Sequence, residues 1–159
     1  MAYEYVGQVC VLVHSVDCPS DLEWERDLPG YIERSRTGAT TCMLVYSDGG
    51  GPTLMQRNRM RVSREPAFHC PIAIVTRSRI GRGIATAVRW FRPNLGVFSP
   101  DQLRAAFEHL NLPASTHDHL AQRIFALRSE LSALRGTGIP PRFTSGKFPG
   151  YVAGEPSEV

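Results

Sequence analysis

The chain has 159 residues, a formal net charge of +3, 42% hydrophobic residues and 21% charged residues. That is enough for one domain with its own core, at an ordinary globular composition. It excludes a membrane-spanning helix, because no apolar run approaches the roughly 20 residues that a bilayer requires. The opening MAYEYVGQ carries Glu4 and no basic region, so a secretory signal is not expected. Cys10, Cys18, Cys42 and Cys70 form no C-x-x-C pair, which points to reduced thiols in a cytoplasmic protein. The net charge hides an asymmetry. Residues 55–92 hold nine arginines and one acid, Glu65, against nine basic and fourteen acidic residues elsewhere. Lys147 is the single lysine, so the basic segment is made of forked donors suited to carboxylates and phosphates.

Tyr3 to Val6 and Gln8 to His14 read as strands around Gly7, either a hairpin or one bent strand. Val9, Val11 and Val13 alternate with Cys10 and Leu12, so the second strand is apolar on both faces and expected inside a sheet. Ser20-x-x-Glu23 is a capping box opening a helix through Leu22, Trp24, Leu28 and Ile32, which Pro29-Gly30 should kink or split. Thr41 to Tyr46 is the next strand, followed by the loop Ser47-Asp48-Gly49-Gly50-Gly51-Pro52-Thr53. Pro52 is read at the first position of a helix through Leu54, Met55 and Val62, ended by Glu65-Pro66.

Ile72 to Val75 is a buried strand. Ile80, Ile84, Val88 and Phe91 share one helical face, Pro93 stops that helix, and Leu95 to Phe98 is the next strand. Strand, helix and strand this close together form a right-handed crossover in a parallel sheet. Ser99-Pro100-Asp101-Gln102 caps a helix carrying Leu103, Ala106, Phe107 and Leu110. After Pro113 a last helix, opened by Ser115 or Thr116 and stopped by Gly136, carries Leu120, Ile124, Leu127, Leu131 and Leu134 at 4-3-4-3 spacing. This seam is expected to lie on the domain itself, with self-association into a homodimer as the alternative. The Gly- and Pro-rich residues 137–159 read as a flexible, irregular tail.

Sites in a parallel α/β sheet form at the C-terminal strand ends. Here those ends are His14-Ser15-Val16-Asp17, Ser47 to Thr53, Thr76-Arg77-Ser78-Arg79 and Ser99, each leading into a helix N-terminus suited to anions. The binding candidates are Asp48, Gly49, Gly50, Gly51, Thr76, Arg77, Arg79 and Arg82. The glycine loop is not a Walker A sequence, and a tight turn competes with a phosphate or peptide site there. Thr53 is placed near the second position of its helix, with its hydroxyl at the positive end, where a phosphate would be stabilised. His117-x-His119 cannot turn both rings to one metal from one helical face, so no metal or cofactor is expected. Nucleic acid is not expected either, since no reader motif or aromatic interleaving accompanies the arginines. An enzyme would have to rest on His14, Asp17 and Asp48, and none of these sits in a catalytic motif.

The segment from Pro71 to Phe91, P-I-A-I-V-T-x-S-x-x-x-R-G-I-x-T-A-x-x-W-F, resembles the STAS domain, more closely its SpoIIAA-like, STAS/SEC14-like group. N-L-G-V-F-S-P-D-Q-L, H-L-N-L-P and Leu44-Val45-Tyr46 before the glycine triplet agree with that group. The resemblance covers about residues 5–113. It implies a single α/β STAS-like domain over 1–113, with a mostly parallel central sheet, to which a helix over 114–136 and a tail over 137–159 are added. It also implies a non-catalytic, cytoplasmic regulatory module of a bacterium that acts in signalling through protein–protein interaction. Its partner would be a kinase, an ATPase or another signalling protein, with an acidic contact surface set by the arginines. In anti-sigma-factor antagonists a serine or threonine at the start of the second helix is phosphorylated. Thr53 is the nearest equivalent and Ser47 the next, although Asp48-Gly-Gly-Gly-Pro-Thr53 replaces the usual Asp-Ser-Ser-Gly-type motif. Two alternatives remain. One is a small-ligand module for a lipid or nucleotide. The other is a degenerate receiver-like phospho-acceptor, because Asp48, Thr76 and Ser99-Pro100 mimic a receiver's order without its lysine.

Overall fold

A computed structural model describes residues 1–62, 70–78 and 94–137. Strands β1 (Ala2–Val6), β2 (Val9–His14), β3 (Cys42–Ser47), β4 (Ile72–Thr76) and β5 (Leu95–Phe98) form one sheet in the order β1-β2-β3-β4-β5. β1 and β2 pair antiparallel as a hairpin through Gly7, whose φ of +59° is the left-handed conformation that glycine enters without a Cβ penalty. All later neighbours pair parallel. The chain is therefore an α/β domain with a mostly parallel sheet, and β2 lies inside it as its two-sided apolar pattern requires.

Helix α1 (Asp21–Arg36) starts at the Ser20–Glu23 capping box, where Ser20 Oγ accepts from Glu23 N and the Glu23 carboxylate accepts from Ser20 N. It runs unbroken through Pro29, contrary to the expected split. Trp24, Asp27 and Tyr31 form its buried side, so tertiary contacts outweigh the local loss of one backbone bond. Helix α2 (Leu54–Val62) follows β3. After β5, a 3₁₀ turn (Pro100–Gln102) leads into α3 (Leu103–His109). Asn111, at φ 54°, then reverses the chain while Leu112 N donates to Phe107 O. A second 3₁₀ turn (Ala114–Thr116) opens α4 (His117–Thr137), which passes through the glycine expected to stop it.

Strand pleating sorts the core. Val9, Val11, Val13, Cys42, Leu44, Tyr46, Ala73 and Val75 form one face, covered by α3 and α4 through Phe107, Leu110, Leu120, Ile124, Leu127 and Leu131. The leucine seam of α4 is thus spent on its own sheet. Leu120, Ile124, Leu127 and Leu131 are all buried within the chain, so these four seam residues are not open to a second copy. The opposite face is covered by α1, with Tyr31 and Ile32 against Cys10 and Met43. The expected helix over 80–92, Glu65-Pro66, Arg79, Arg82 and the tail beyond residue 137 lie outside the described residues. Among the described residues no helix is long and apolar enough to cross a membrane.

Candidate functional site

Parallel pairing brings the C-terminal ends of β2, β3 and β4 side by side. His14 is in register with Ser47, and Ser47 with Thr76. All three project on the α1 side of the sheet, one strand apart, and all are buried. The result is a polar row at the edge of an otherwise apolar sheet, a grouping that no sequence motif announces.

Each member has its own fate. Ser47 Oγ donates to Gly50 O and accepts from Gly49 N at 3.0 Å. The hydroxyl therefore closes its own loop and is 6% exposed, so this phosphorylation candidate is a buried, structural group. Thr76 Oγ1 accepts from Ser78 N at 3.2 Å. His14 Nδ1 is buried without a hydrogen-bond partner. Burial pushes the His14 imidazole down to about 4, because a charged ring would lose its hydration there. At neutral pH it is a neutral ring.

The glycine loop is not an open cradle. Gly50 N donates to Ser15 O at 2.8 Å, and a Cβ on Gly50 would collide with Asp17 O. Only glycine permits the two strand-end loops to touch in this way. Gly49 has φ +136°, whereas Gly51 has open space around its Cβ position. Asp48 turns to the other side of the sheet. Its carboxylate accepts from Arg128 Nε at 3.0 Å and from Arg128 Nη2 at 2.6 Å, while the guanidinium lies 4.7 Å from the Tyr46 ring centre. This bidentate pair latches the loop to α4.

Thr53 is the N-cap of α2, rather than a residue inside the helix, and Pro52 precedes the cap. Thr53 Oγ1 accepts from Gln56 N at 3.2 Å, and Gln56 Oε1 accepts from Thr53 N at 2.9 Å. The pair is a capping box of the kind already read at Ser20 and Ser99, so its signal was present in the sequence. Gln56 does more than cap. It is fully buried, and its Nε2 donates to Pro19 O at 3.1 Å and to Asp21 Oδ1 at 2.8 Å. One amide thereby fastens the first turn of α2 to the first turn of α1. Arg59 Nη1 to Glu25 Oε1, at 2.6 Å, adds a second tie.

Arg77 is exposed at the end of β4, next to the β3 loop as expected for adjacent strands. Arg79 and Arg82 lie outside the described residues. An open groove of about 510 Å³ lies along α1, floored by Trp24, Leu28 and Ile32 and rimmed by the Glu25–Arg59 pair. Trp24 Nε1 is buried beside it without a partner. Among the described residues no cluster of three or more His, Cys, Asp or Glu forms a metal-ligand set. His117 is engaged with Leu112 O at 3.0 Å. Comparisons with protein-family models, curated proteins and solved structures find no match for this chain.

Proposed function

We propose that this chain is a cytoplasmic regulatory protein-binding module of the STAS, anti-sigma-factor-antagonist type, with its binding face at the C-terminal strand ends. The observation that carries the reading is how that end is built. Ser47, Gly50, Thr53 and Gln56 spend their polar groups on holding the loops and helix starts together. A surface whose hydrogen bonds are internally satisfied is a preformed docking face, and partners meet it without paying to order it. The candidate reactive groups also point apart: Asp48 goes to Arg128 on one side of the sheet and His14 is buried on the other. This supports a binding role over catalysis, and the same engagement of Asp48 counts against the receiver-like alternative.

Thr53 is the proposed switch. It is half-buried at the N-terminus of α2, where a phosphate would add close to two negative charges beside the outward face. The test is capture from the native host by wild-type and Thr53→Glu protein, read by mass spectrometry. A kinase, ATPase or other signalling protein held by wild type and lost with Thr53→Glu supports the switch. The same partner held by both makes the chain a constitutive adaptor. No specific partner in either case rejects the binding-module reading. The α1 groove and the unpartnered Trp24 N–H favour a small apolar ligand with one acceptor as the second reading, which native mass spectrometry of protein from the host tests directly.

A further inference from the structure

Val16, Leu22, Leu54 and Met55 are 53–78% exposed, and they are four of the five large hydrophobic residues exposed among the described residues. They are brought to one end of the molecule. Val16 belongs to the loop after β2, Leu22 to the first turn of α1, and Leu54 and Met55 to the first turn of α2. The Gln56 amide ties those two helix starts together, and Gly50 packs on the carbonyls of Ser15 and Asp17. Water-exposed leucine and methionine gathered on a rigid surface mark an interaction site more often than chance.

Charge says what would cover them. Arg57, one helical turn beyond Leu54, and Arg77, at the end of the neighbouring β4, are both exposed, and among the described residues neither guanidinium takes part in an ion pair or hydrogen bond. Of the acids nearby, Glu25 is neutralised by Arg59, and Asp21 accepts from the Gln56 amide. The N-termini of α1 and α2 add partial positive charge to the same surface. The surface lies beyond the ends of the inner strands β2 and β3, whereas the free edges of the sheet are β1 and β5, so an added β-strand is not the mode of contact. Asp17, Ser20 and Asp21 are exposed on this face too; a continuous anionic bilayer would have to meet them, whereas a narrow helix need not.

We infer that the surface made by Val16, Leu22, Leu54 and Met55 docks the apolar stripe of an acidic amphipathic helix from a partner protein, with Arg57 and Arg77 meeting its carboxylates. The inference rests on the reading of the strand ends as a docking face and names the chemistry of its partner. The test is an amide NMR titration of the full chain with three probes: a Leu/Glu amphipathic helix of about five turns, its Leu/Lys counterpart, and phosphatidylcholine vesicles containing phosphatidylglycerol. The Leu/Glu helix is expected to shift amides over residues 16–22, 49–57 and at Arg77. Its affinity should fall about tenfold or more both in Leu22→Asp/Met55→Asp and in Arg57→Glu/Arg77→Glu, with the same spectra reporting that each variant is folded. Equal or tighter binding of the Leu/Lys helix at those amides overturns the acidic partner but keeps the docking face. Binding of the vesicles alone overturns the protein partner. If no probe shifts those amides, the docking face itself is rejected.

Discussion

The two faces of the sheet are built to different rules. On the α4 side, Val11, Val13, Leu44, Ala73 and Val75 are wholly inaccessible, and Leu120, Ile124 and Leu127 close over them. That face is a close-packed core of mainly aliphatic side chains with Tyr46 and Phe107. On the α1 side, Leu12, Met43 and Ile74 are only half-buried, and the strand ends carry His14, Ser47 and Thr76. The added C-terminal helix therefore lies on the face that holds the fold together. The candidate site lies over the face where burial is incomplete and polar groups are tolerated. Close packing and a polar working edge are separated by the thickness of one sheet, so the edge can change without loosening the core.

The sharpest way to break this comparison is to remove matched volume from each face. Leu44→Ala should cost about 3 kcal/mol, whereas Met43→Ala should cost about 1 kcal/mol. Urea denaturation checks both, and equal losses would mean that the faces are packed alike. At the polar edge, Gly50→Ala should destabilise by about 2 kcal/mol because its Cβ would meet the Asp17 carbonyl, while Gly51→Ala stays within about 0.5 kcal/mol. Thermal unfolding of the two variants decides whether the loop contact is real.

The third prediction concerns pH. The His14 ring titrates at about 4 in the fold and at 6.5 when unperturbed, so the unfolded chain binds the proton more readily. Stability from this residue is complete above about pH 6.5 and is lost as pH falls towards 4, by up to about 3 kcal/mol. Denaturant midpoints measured across that window should slope downward in wild type and flatten in His14→Leu. An equal slope in both assigns the acid sensitivity to other groups. This effect, largest only at acid pH, is the smallest of the three at neutrality, where it vanishes.

Much of the architecture was legible because it is written in short-range pattern. Apolar runs marked β2 to β5, capping boxes marked the starts of α1 and α3, and the 4-3-4-3 leucine spacing marked α4. Pro29 misled because proline's local cost was outweighed by burial of Trp24 and Tyr31. Thr53 was placed two positions off because Pro52 was taken as the helix signal in preference to the box that Thr53 makes with Gln56. Three of the strand ends read as polar, those carrying His14, Ser47 and Thr76, lie side by side, yet the roles of their residues were not readable. Ser47 and Asp48 are sequence neighbours, and pleating sends them to opposite faces, one into its own loop and one to Arg128, 80 residues away.

What the sequence alone determined is the set of elements and their parallel connection, because hydrophobic period, caps and crossover length act over a few residues. Strand register, which sets His14 beside Ser47 and Thr76, is a property of pairs of segments. So is the meeting of Gln56 with Asp21, which ties the start of α2 to the start of α1. These juxtapositions depend on free energy shared between distant parts of the chain, and only the tertiary structure decided them.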